Sequence, residues 1–222
     1  MKELLVVTLS ILSMLGCVSR SDPRMNVNKS LETPRYTVSK VKGSCELRSY
    51  QAHLVASVSV DGDFDDASRA GFRALAGYIF GGNTSKASIA MTAPVSVAPE
   101  RGEGERIAMT APVSMSASGS GRWVVTFSMP SKYTLETLPT PKDERVKLSE
   151  QAGDQVAAIV FSGIASESNL TRHEALLRAW IKEEGLRADG PMVIARYNDP
   201  FTLPWNRRNE LIIPVEVSAP QG

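Results

Sequence analysis

The stretch that decides the fold is residues 53–82, HLVASVSVDGDFDDASRAGFRALAGYIFGG. Its first eight residues alternate between apolar and polar side chains, which is typical of a β-strand with one buried face. The Asp-Gly-Asp sequence at 61–63 then supplies a turn and a helix N-cap. Residues 64–80 carry apolar side chains at helical spacing and are followed by Gly81 and Gly82, as expected at a helix C-terminus. The segment therefore predicts a strand followed directly by a helix.

A second strand and helix follow in the same order. Residues 155–161 (QVAAIVF) predict a strand, and residues 167–184 predict a helix that is capped by Ser166 and ended by Gly185. Further strands are predicted at residues 36–42, 45–50, 122–129, 145–148, 192–197 and 211–217. The order of strands, helix and strands thus occurs twice. This order predicts an α+β fold of two similar halves, with both helices on a largely antiparallel sheet or barrel.

The sequence IAMTAPVS occurs twice, at residues 89–96 and 107–114. Each copy alternates in polarity, so we expect two strands joined by the Gly-rich loop 98–105. Pro94 and Pro112 cannot donate to a ladder and therefore predict an edge or a bulge in each strand. Met91 and Met109 are expected to pack as core side chains, with a pair of ligands as the alternative.

The first residues are typical of an export signal. Residues 4–15 are mostly apolar but too short to span a bilayer, and the following Gly16-Cys17 resembles the end of a bacterial lipoprotein signal. We expect residues 1–16 to be a signal peptide, Cys17 to carry the lipid, and the protein to face the periplasm from the outer membrane. The alternative is an ordinary cleaved signal and a periplasmic protein. Residues 17–33 are expected to form a flexible tether, residues 34–217 one domain, and residues 218–222 a C-terminal tail.

Composition excludes several classes of function. The chain has 25 Lys and Arg against 24 Asp and Glu, which is too balanced for a protein that binds the phosphates of nucleic acid. Its two His and two Cys show no metal-ligand spacing, and no Ser-His-Asp or H-E-x-x-H pattern occurs. We therefore expect no nucleic-acid partner, no metal site and no enzymatic activity. Cys45 is expected to be a half-buried structural residue, and His173 a structural residue of the interior or of its boundary.

Five short segments carry a resemblance to a known family: residues 78–83 (YIFGGN), 86–95 (KASIAMTAPV), 127–131 (FSMPS), 197–200 (YNDP) and 207–210 (RRNE). They occur in the family's order, and the similarity extends from Thr33 to Val217. The domain resembles the SOUL haem-binding protein family. This resemblance implies a distorted antiparallel β-barrel with two flanking helices and pseudo-twofold duplicated halves. It also implies that the ligand is haem or a related porphyrin.

Neither the axial His nor the propionate-binding lysines of the family have a counterpart in this chain. The resemblance places an axial His, where members use one, in the strand that corresponds to residues 46–50, and this chain has Ser49 there. Lysines that hold haem propionates in some members correspond to Gly77 and to a position near Thr202 and Leu203. We therefore expect a haem to be held by apolar contacts, with arginine as the partner of its propionates.

The first predicted helix offers such a surface. Its apolar side chains cover an arc of roughly 180°, whereas docking on a sheet needs only about 100°. The surplus comprises Phe72, Ala76 and Phe80, and Arg69 and Arg73 lie at the same edge. A flat apolar ligand with two carboxylates fits an apolar strip that is bordered by two guanidiniums.

The apolar loop 201–205 is expected to form the opposite wall of this groove through Phe201, Leu203 and Trp205. The alternative is that Phe80 covers one end of the barrel while the arginines are solvated. Arg207 and Arg208 are expected either to border the groove or to form structural ion pairs.

The sequence thus predicts reversible haem or tetrapyrrole binding in a shallow apolar groove by a cell-envelope protein. One alternative is a sensor or carrier of another amphipathic small molecule on the same fold. The other is an enzyme that modifies haem by removing its iron.

Overall fold

A computed structural model describes residues 31–85, 104–119, 121–199 and 201–217. Within these ranges the chain forms twelve β-strands and two α-helices. In chain order they are β1 (Tyr36–Lys42), β2 (Cys45–Tyr50), β3 (His53–Asp61), α1 (Phe64–Ile79), β4 (Asn83–Thr84), β5 (Val113–Ala117), β6 (Arg122–Ser128), β7 (Thr140–Pro141), β8 (Lys147–Gln151), β9 (Gln155–Phe161), α2 (Glu167–Glu183), β10 (Leu186–Ala188), β11 (Val193–Arg196) and β12 (Asn209–Val217).

Local capping residues set the ends of both helices. The Asp63 carboxylate accepts a hydrogen bond from the Asp66 amide at 2.8 Å, and the Ser166 hydroxyl caps α2 in the same way. After each helix a glycine takes a positive φ, +109° at Gly81 and +66° at Gly185, a conformation that other residues rarely adopt. The predicted helices at 64–80 and 167–184 are therefore confirmed, each ending one residue earlier than expected.

The strands form one curled antiparallel sheet in the order β1-β2-β9-β12-β11-β5-β6-β3-β8, with β10 added beside β12 and β4 paired separately with β7. Helix α1 packs on β3 and β6, and α2 packs on β9, β12 and β10. The predicted α+β architecture, a distorted antiparallel barrel with two helices, is confirmed. Counted outward from the central β5–β11 pair, β3 and β9 hold equivalent places, and each is followed by a helix. The duplication of the two halves stays a prediction.

The core has one apolar cluster under each helix. Phe64 and Trp123 contact both clusters and meet edge to face with their ring centroids 5.3 Å apart. Helix α1 approaches β6 closely at Gly71, where an added Cβ would lie 2.4 Å from a methyl group of Val125. The remaining buried apolar side chains of the two helices are Ala67, Leu75, Tyr78, Ile79, Leu170, Leu177, Trp180 and Ile181.

The prediction of a strand over residues 107–114 is wrong for most of that segment, because β5 begins only at Val113. The backbone before it bonds to separate elements instead of to one neighbouring strand. The Ile107 amide donates to the carbonyl of Ile79 at 2.9 Å, and the Ala111 amide donates to Glu32 at 2.9 Å. The first copy of the repeat, with Met91, lies outside the described residues. Met109 is half-buried against the cluster under α1, as a core side chain would be.

The other predicted strands are found with small shifts. Those at 36–42, 45–50 and 155–161 are confirmed at both ends, whereas the strand predicted at 145–148 lies at Lys147–Gln151. The short strands β4, β7 and β10 were not predicted. They are two or three residues long, too short for alternation to be visible in the sequence.

A buried ionic network lies on the sheet between β2 and β12. The Glu210 carboxylate is fully buried and accepts hydrogen bonds from both terminal nitrogens of Arg48, at 2.8 and 3.0 Å. It also accepts from Arg208 Nε at 2.9 Å and from the Tyr197 hydroxyl at 2.8 Å. Burial alone would raise the pKa of Glu210, but the hydrogen bonds and charges of the two arginines outweigh it and lower that pKa. Arg208 is therefore a partner in a structural ion pair, as one of the alternatives expected.

Replacing Glu210 by Gln should destabilise the fold strongly, because it removes the carboxylate that the buried guanidiniums of Arg48 and Arg208 share and leaves Arg48 paired with Glu46. We expect a loss of about 3–5 kcal/mol in the free energy of unfolding, measured by urea titration. The control is Glu174→Gln, which removes one partner of the exposed Glu174–Arg178 pair and should cost at most about 0.5 kcal/mol. Equal losses in the two variants would contradict the importance of the network.

His173 is an interior residue of α2. It is 7% exposed, and its ring stacks on Phe161 with the centroids 4.2 Å apart. Its Nδ1 donates to the carbonyl of Asn169 at 2.7 Å, and Arg172 Nη2 lies 3.4 Å from Nε2. Burial lowers the pKa of His173 most, the hydrogen bond to Asn169 raises it, and the charge of Arg172 lowers it further, so that the net shift is downward.

This lowered pKa predicts acid sensitivity. Between the folded-state pKa and the ordinary histidine pKa of 6.5, the unfolded chain binds more protons than the folded one. The stability conferred by the neutral ring is therefore lost as pH falls below about 6.5. The unfolding free energy of the intact protein should decrease from pH 7 to pH 5 by less than about 1.4 kcal/mol per pH unit from this residue. His173→Gln should remove that part of the slope. An unchanged slope would assign the acid sensitivity to other groups.

Candidate functional site

The two predicted walls of the groove lie at the same end of the sheet. Along one line across the strands, Phe127 pairs with Val113, Val113 with Arg196, and Arg196 with Asn209. Phe72 of α1 contacts Phe127, with the ring centroids 5.5 Å apart, and the loop 197–208 joins the last two strands of this line. Because neighbouring strands are about 4.8 Å apart, the strand under Phe72 and the two strands that carry the loop are separated by about 10–15 Å.

The strip on α1 is exposed along its length. Phe72 is 42% exposed, Phe80 is 52% exposed, and Ala76 between them is partly exposed. Phe72 and Phe80 are eight residues apart, which corresponds to about 12 Å along the helix axis. An apolar surface of this length remains available to a ligand after the helix has docked on the sheet.

Three guanidiniums lie along or near the strip. Arg69 pairs with the Asp66 carboxylate on the solvent side of α1, and Arg73 is exposed. Arg106, which the sequence pattern did not single out, lies over the Phe80 ring with its guanidinium carbon 5.6 Å from the centroid. Only the fold brings Arg106 to this place, because it depends on the backbone bridge between residues 80 and 106. No local pattern in the sequence marks such a bridge.

The loop presents its apolar side chains to solvent on a braced backbone. The Asp199 carboxylate accepts hydrogen bonds from the amides of Phe201 and Thr202, at 2.8 and 3.0 Å. Arg207 Nε donates to the carbonyl of Thr202 at 2.7 Å, and residues 204–206 form one turn of 3-10 helix. Phe201, Leu203 and Trp205 are 94%, 51% and 65% exposed.

Ser49, at the position of the family's axial His, lies away from the exposed strip on α1. Ser49 is an exposed residue of β2, and four strands separate β2 from β6, on which α1 packs. At the start of β3, His53 Nδ1 donates a hydrogen bond to the Gln51 carbonyl, 3.1 Å away. Among the described residues, no group of three or more His, Cys, Asp or Glu side chains is arranged to hold a metal ion. Cys45 is buried in the cluster under α2, and burial raises the pKa of its thiol.

A cavity of about 600 Å³ lies at the start of β3. Its lining is mixed in polarity and includes Glu32, Arg35, His53, Leu54, Met129 and Tyr133. A volume of this size is typical of small-molecule sites.

In the part of the chain described, neither helix is long and apolar enough to cross a membrane.

Comparisons with solved structures agree with this fold. The C-terminal domain of EcmrR superposes with a TM-score of 0.54 at 10% sequence identity, over 82% of this chain and 98% of that one. A hydrolase from Listeria innocua superposes with a TM-score of 0.54 at 16% identity, over 80% of this chain and 94% of that one. At such low identity the similarity concerns the fold alone.

Sequence comparisons identify the family. Heme-binding protein 1 of Mus musculus is 28% identical over 203 residues, which cover 89% of this chain and 97% of that protein. Heme-binding protein 2 of Homo sapiens is 29% identical over 171 residues, which cover 76% of this chain and 77% of that protein. The sequence model of the SOUL heme-binding protein family matches residues 31–103 and 97–214, nearly the whole described domain. The chain therefore belongs to the SOUL heme-binding protein family.

Proposed function

We propose that this protein binds haem or a related porphyrin reversibly in the groove between α1 and the loop 201–205. One observation carries the proposal: an exposed apolar strip bordered by guanidiniums lies at the same end of the sheet as a loop with three exposed apolar side chains. Membership of the family and relatives named heme-binding protein support haem as the ligand.

The residues of the groove fit the ligand's chemistry. Phe72, Ala76 and Phe80 offer a surface for one porphyrin face, and Phe201, Leu203 and Trp205 offer the other wall. Arg69, Arg73 and Arg106 lie where they could pair with the two propionates, for which planar guanidiniums are well suited. No step of this binding requires an axial ligand, so the metal-free porphyrin should bind as well.

We also propose that the protein is located in the cell envelope and that it is not an enzyme. The apolar segment followed by Gly16-Cys17 supports export and lipidation at Cys17, with the domain facing the periplasm from the outer membrane. The protein binds its ligand without converting it, so haem recovered after incubation should keep its iron. Recovery of iron-free porphyrin would instead identify the enzyme of the third hypothesis.

A second candidate is a carrier or sensor of another amphipathic small molecule. The observation in its favour is the cavity at the start of β3, which is large enough for a drug-sized ligand and has carboxylates and apolar groups in its lining. This candidate predicts saturable binding of an amphipathic cation and no preference for a porphyrin.

The first test is a titration of the intact protein with haemin and with metal-free protoporphyrin, followed by absorbance in the Soret region. We expect saturable one-to-one binding of both. Arg69→Glu together with Arg73→Glu should weaken both affinities about tenfold or more, because each site loses a cation and gains a charge that repels the propionates.

The control is Arg178→Glu together with Arg187→Glu, which makes the same change in net charge at exposed ion pairs away from α1. Equal affinities in the two folded double variants would move the ligand away from the strip. Binding of haemin without binding of protoporphyrin would show that the iron needs a protein ligand.

A substitution at Gly77 tests whether an added cation strengthens haemin binding. It lies on α1 at the position that corresponds to a propionate lysine in some members of the family, and an added Cβ would meet nothing within 4 Å. Gly77→Lys should therefore fold and tighten haemin binding severalfold by adding a cation beside the strip.

Gly77→Ala separates the effect of the added charge from the effect of removing a glycine from the helix. Both variants should stabilise α1 by up to about 1 kcal/mol, since glycine is a poor helix former. Only the lysine should change the affinity for haemin. Equal affinities of the two variants would mean that the propionates lie elsewhere.

A further inference from the structure

The loop 201–205 is one part of a larger exposed apolar patch at one end of the domain. Ile164, in the connection from β9 to α2, is 60% exposed. Its neighbour Gly163 donates a hydrogen bond to the carbonyl of Pro204 at 2.9 Å, and Asn209 Nδ2 donates to the Gly163 carbonyl at 3.0 Å. These bonds place Ile164 beside the loop. Ile164, Phe201, Leu203 and Trp205 together are called the apolar tip below.

The apolar tip is held in place by the fold. The loop is braced by Asp199 and Arg207, and its two ends are fixed by the bond between the Tyr197 amide and the Arg208 carbonyl at 3.2 Å. Single exposed apolar residues are common on protein surfaces, but four large ones on adjoining, braced segments mark an interaction surface. Tryptophan is enriched at the boundary between a bilayer and water, and Trp, Phe and Leu are the side chains that interfacial helices bury in the membrane.

The N-terminal segment joins the domain at the same end. Leu31 packs against a small cluster that contains Ala111 and Tyr197. Ala111 lies two residues before β5, and Tyr197 directly follows β11, at the ends of these strands that are paired through Val113 and Arg196. Residues 18–30, which connect Cys17 to this point, can span at most about 50 Å when fully extended. A lipid on Cys17 would therefore keep this end of the domain within reach of the membrane.

We propose that the apolar tip docks on a lipid bilayer and inserts its side chains into the interfacial region. The occupant of this surface is a lipid bilayer, because the tip combines exposed aromatic and aliphatic side chains with the end of the domain nearest to the anchor. The inference rests on the proposed lipid anchor, and it adds a second contact that orients the domain. A porphyrin held between α1 and the loop would then lie at the membrane surface.

The experiment uses the intact exported chain, without haem, on vesicles of phosphatidylcholine whose acyl chains carry bromine, a quencher of tryptophan emission. Trp205 should be quenched by the bromine, whereas Trp180 is buried under α2 and Trp123 is half-buried in the core. Trp205→Tyr should therefore abolish most of the quenching. Phe201→Ser together with Leu203→Ser should also reduce it, because the tip loses two of its apolar side chains.

Leu176→Ser is the matched control, since Leu176 is 52% exposed on α2 but is not part of the tip. It should leave the quenching unchanged. Trp205 emission that aqueous acrylamide quenches equally with and without vesicles would overturn the proposal. The mass of the N-terminal peptide reports lipidation separately, and omission of haem keeps the result independent of porphyrin binding.

Discussion

The pairing of β5 with β11 is the constraint on which the arrangement of the site depends. Within the described residues this ladder joins the half of the sheet under α1 to the half under α2, through the pairs from Val113–Arg196 to Ser116–Val193. Its register brings Phe127 and the base of the loop 197–208 to the same end of the sheet. Since the side-chain period of a strand is two, a shift of one residue would turn the inward-facing side chains of β11 to the other face.

The buried carboxylate of Glu210 connects stability to the same loop. It binds the Tyr197 hydroxyl and the Arg208 guanidinium, and these two residues stand at the two ends of the loop. Arg208 also donates from its backbone amide to the Asn198 side chain at 2.6 Å. The network is therefore an anchor for the loop as well as a link between β2 and β12. A buried ion pair of this kind contributes little net stability over an apolar replacement, but it requires one geometry.

Features set by local sequence were predictable, and features set by pairing between distant segments were not. Both helices, with caps at Asp63 and Ser166, follow from residues within one turn of each end. The strand prediction at 107–114 was mostly wrong, because alternating polarity leads to a strand only where a neighbouring strand accepts the backbone hydrogen bonds. The exposed strip on α1 follows from helical periodicity, whereas Arg106 beside Phe80 depends on a bridge that no local pattern encodes.

Clusters of exposed apolar side chains are unfavourable for a protein in water unless something covers them, and this domain carries exposed apolar side chains on α1 and on the loop 201–205. Phe72 and Phe80 remain exposed on a helix whose other face is fully packed, and Trp205 is exposed on a loop that hydrogen bonds hold rigid. Rigid presentation lowers the entropy that a partner must offset on binding. A porphyrin face and a bilayer both cover apolar surface without demanding directional bonds, so one end of the domain can serve both. Both proposals therefore depend on the same three apolar side chains of the loop and on the hydrogen bonds that hold it, and neither depends on a histidine.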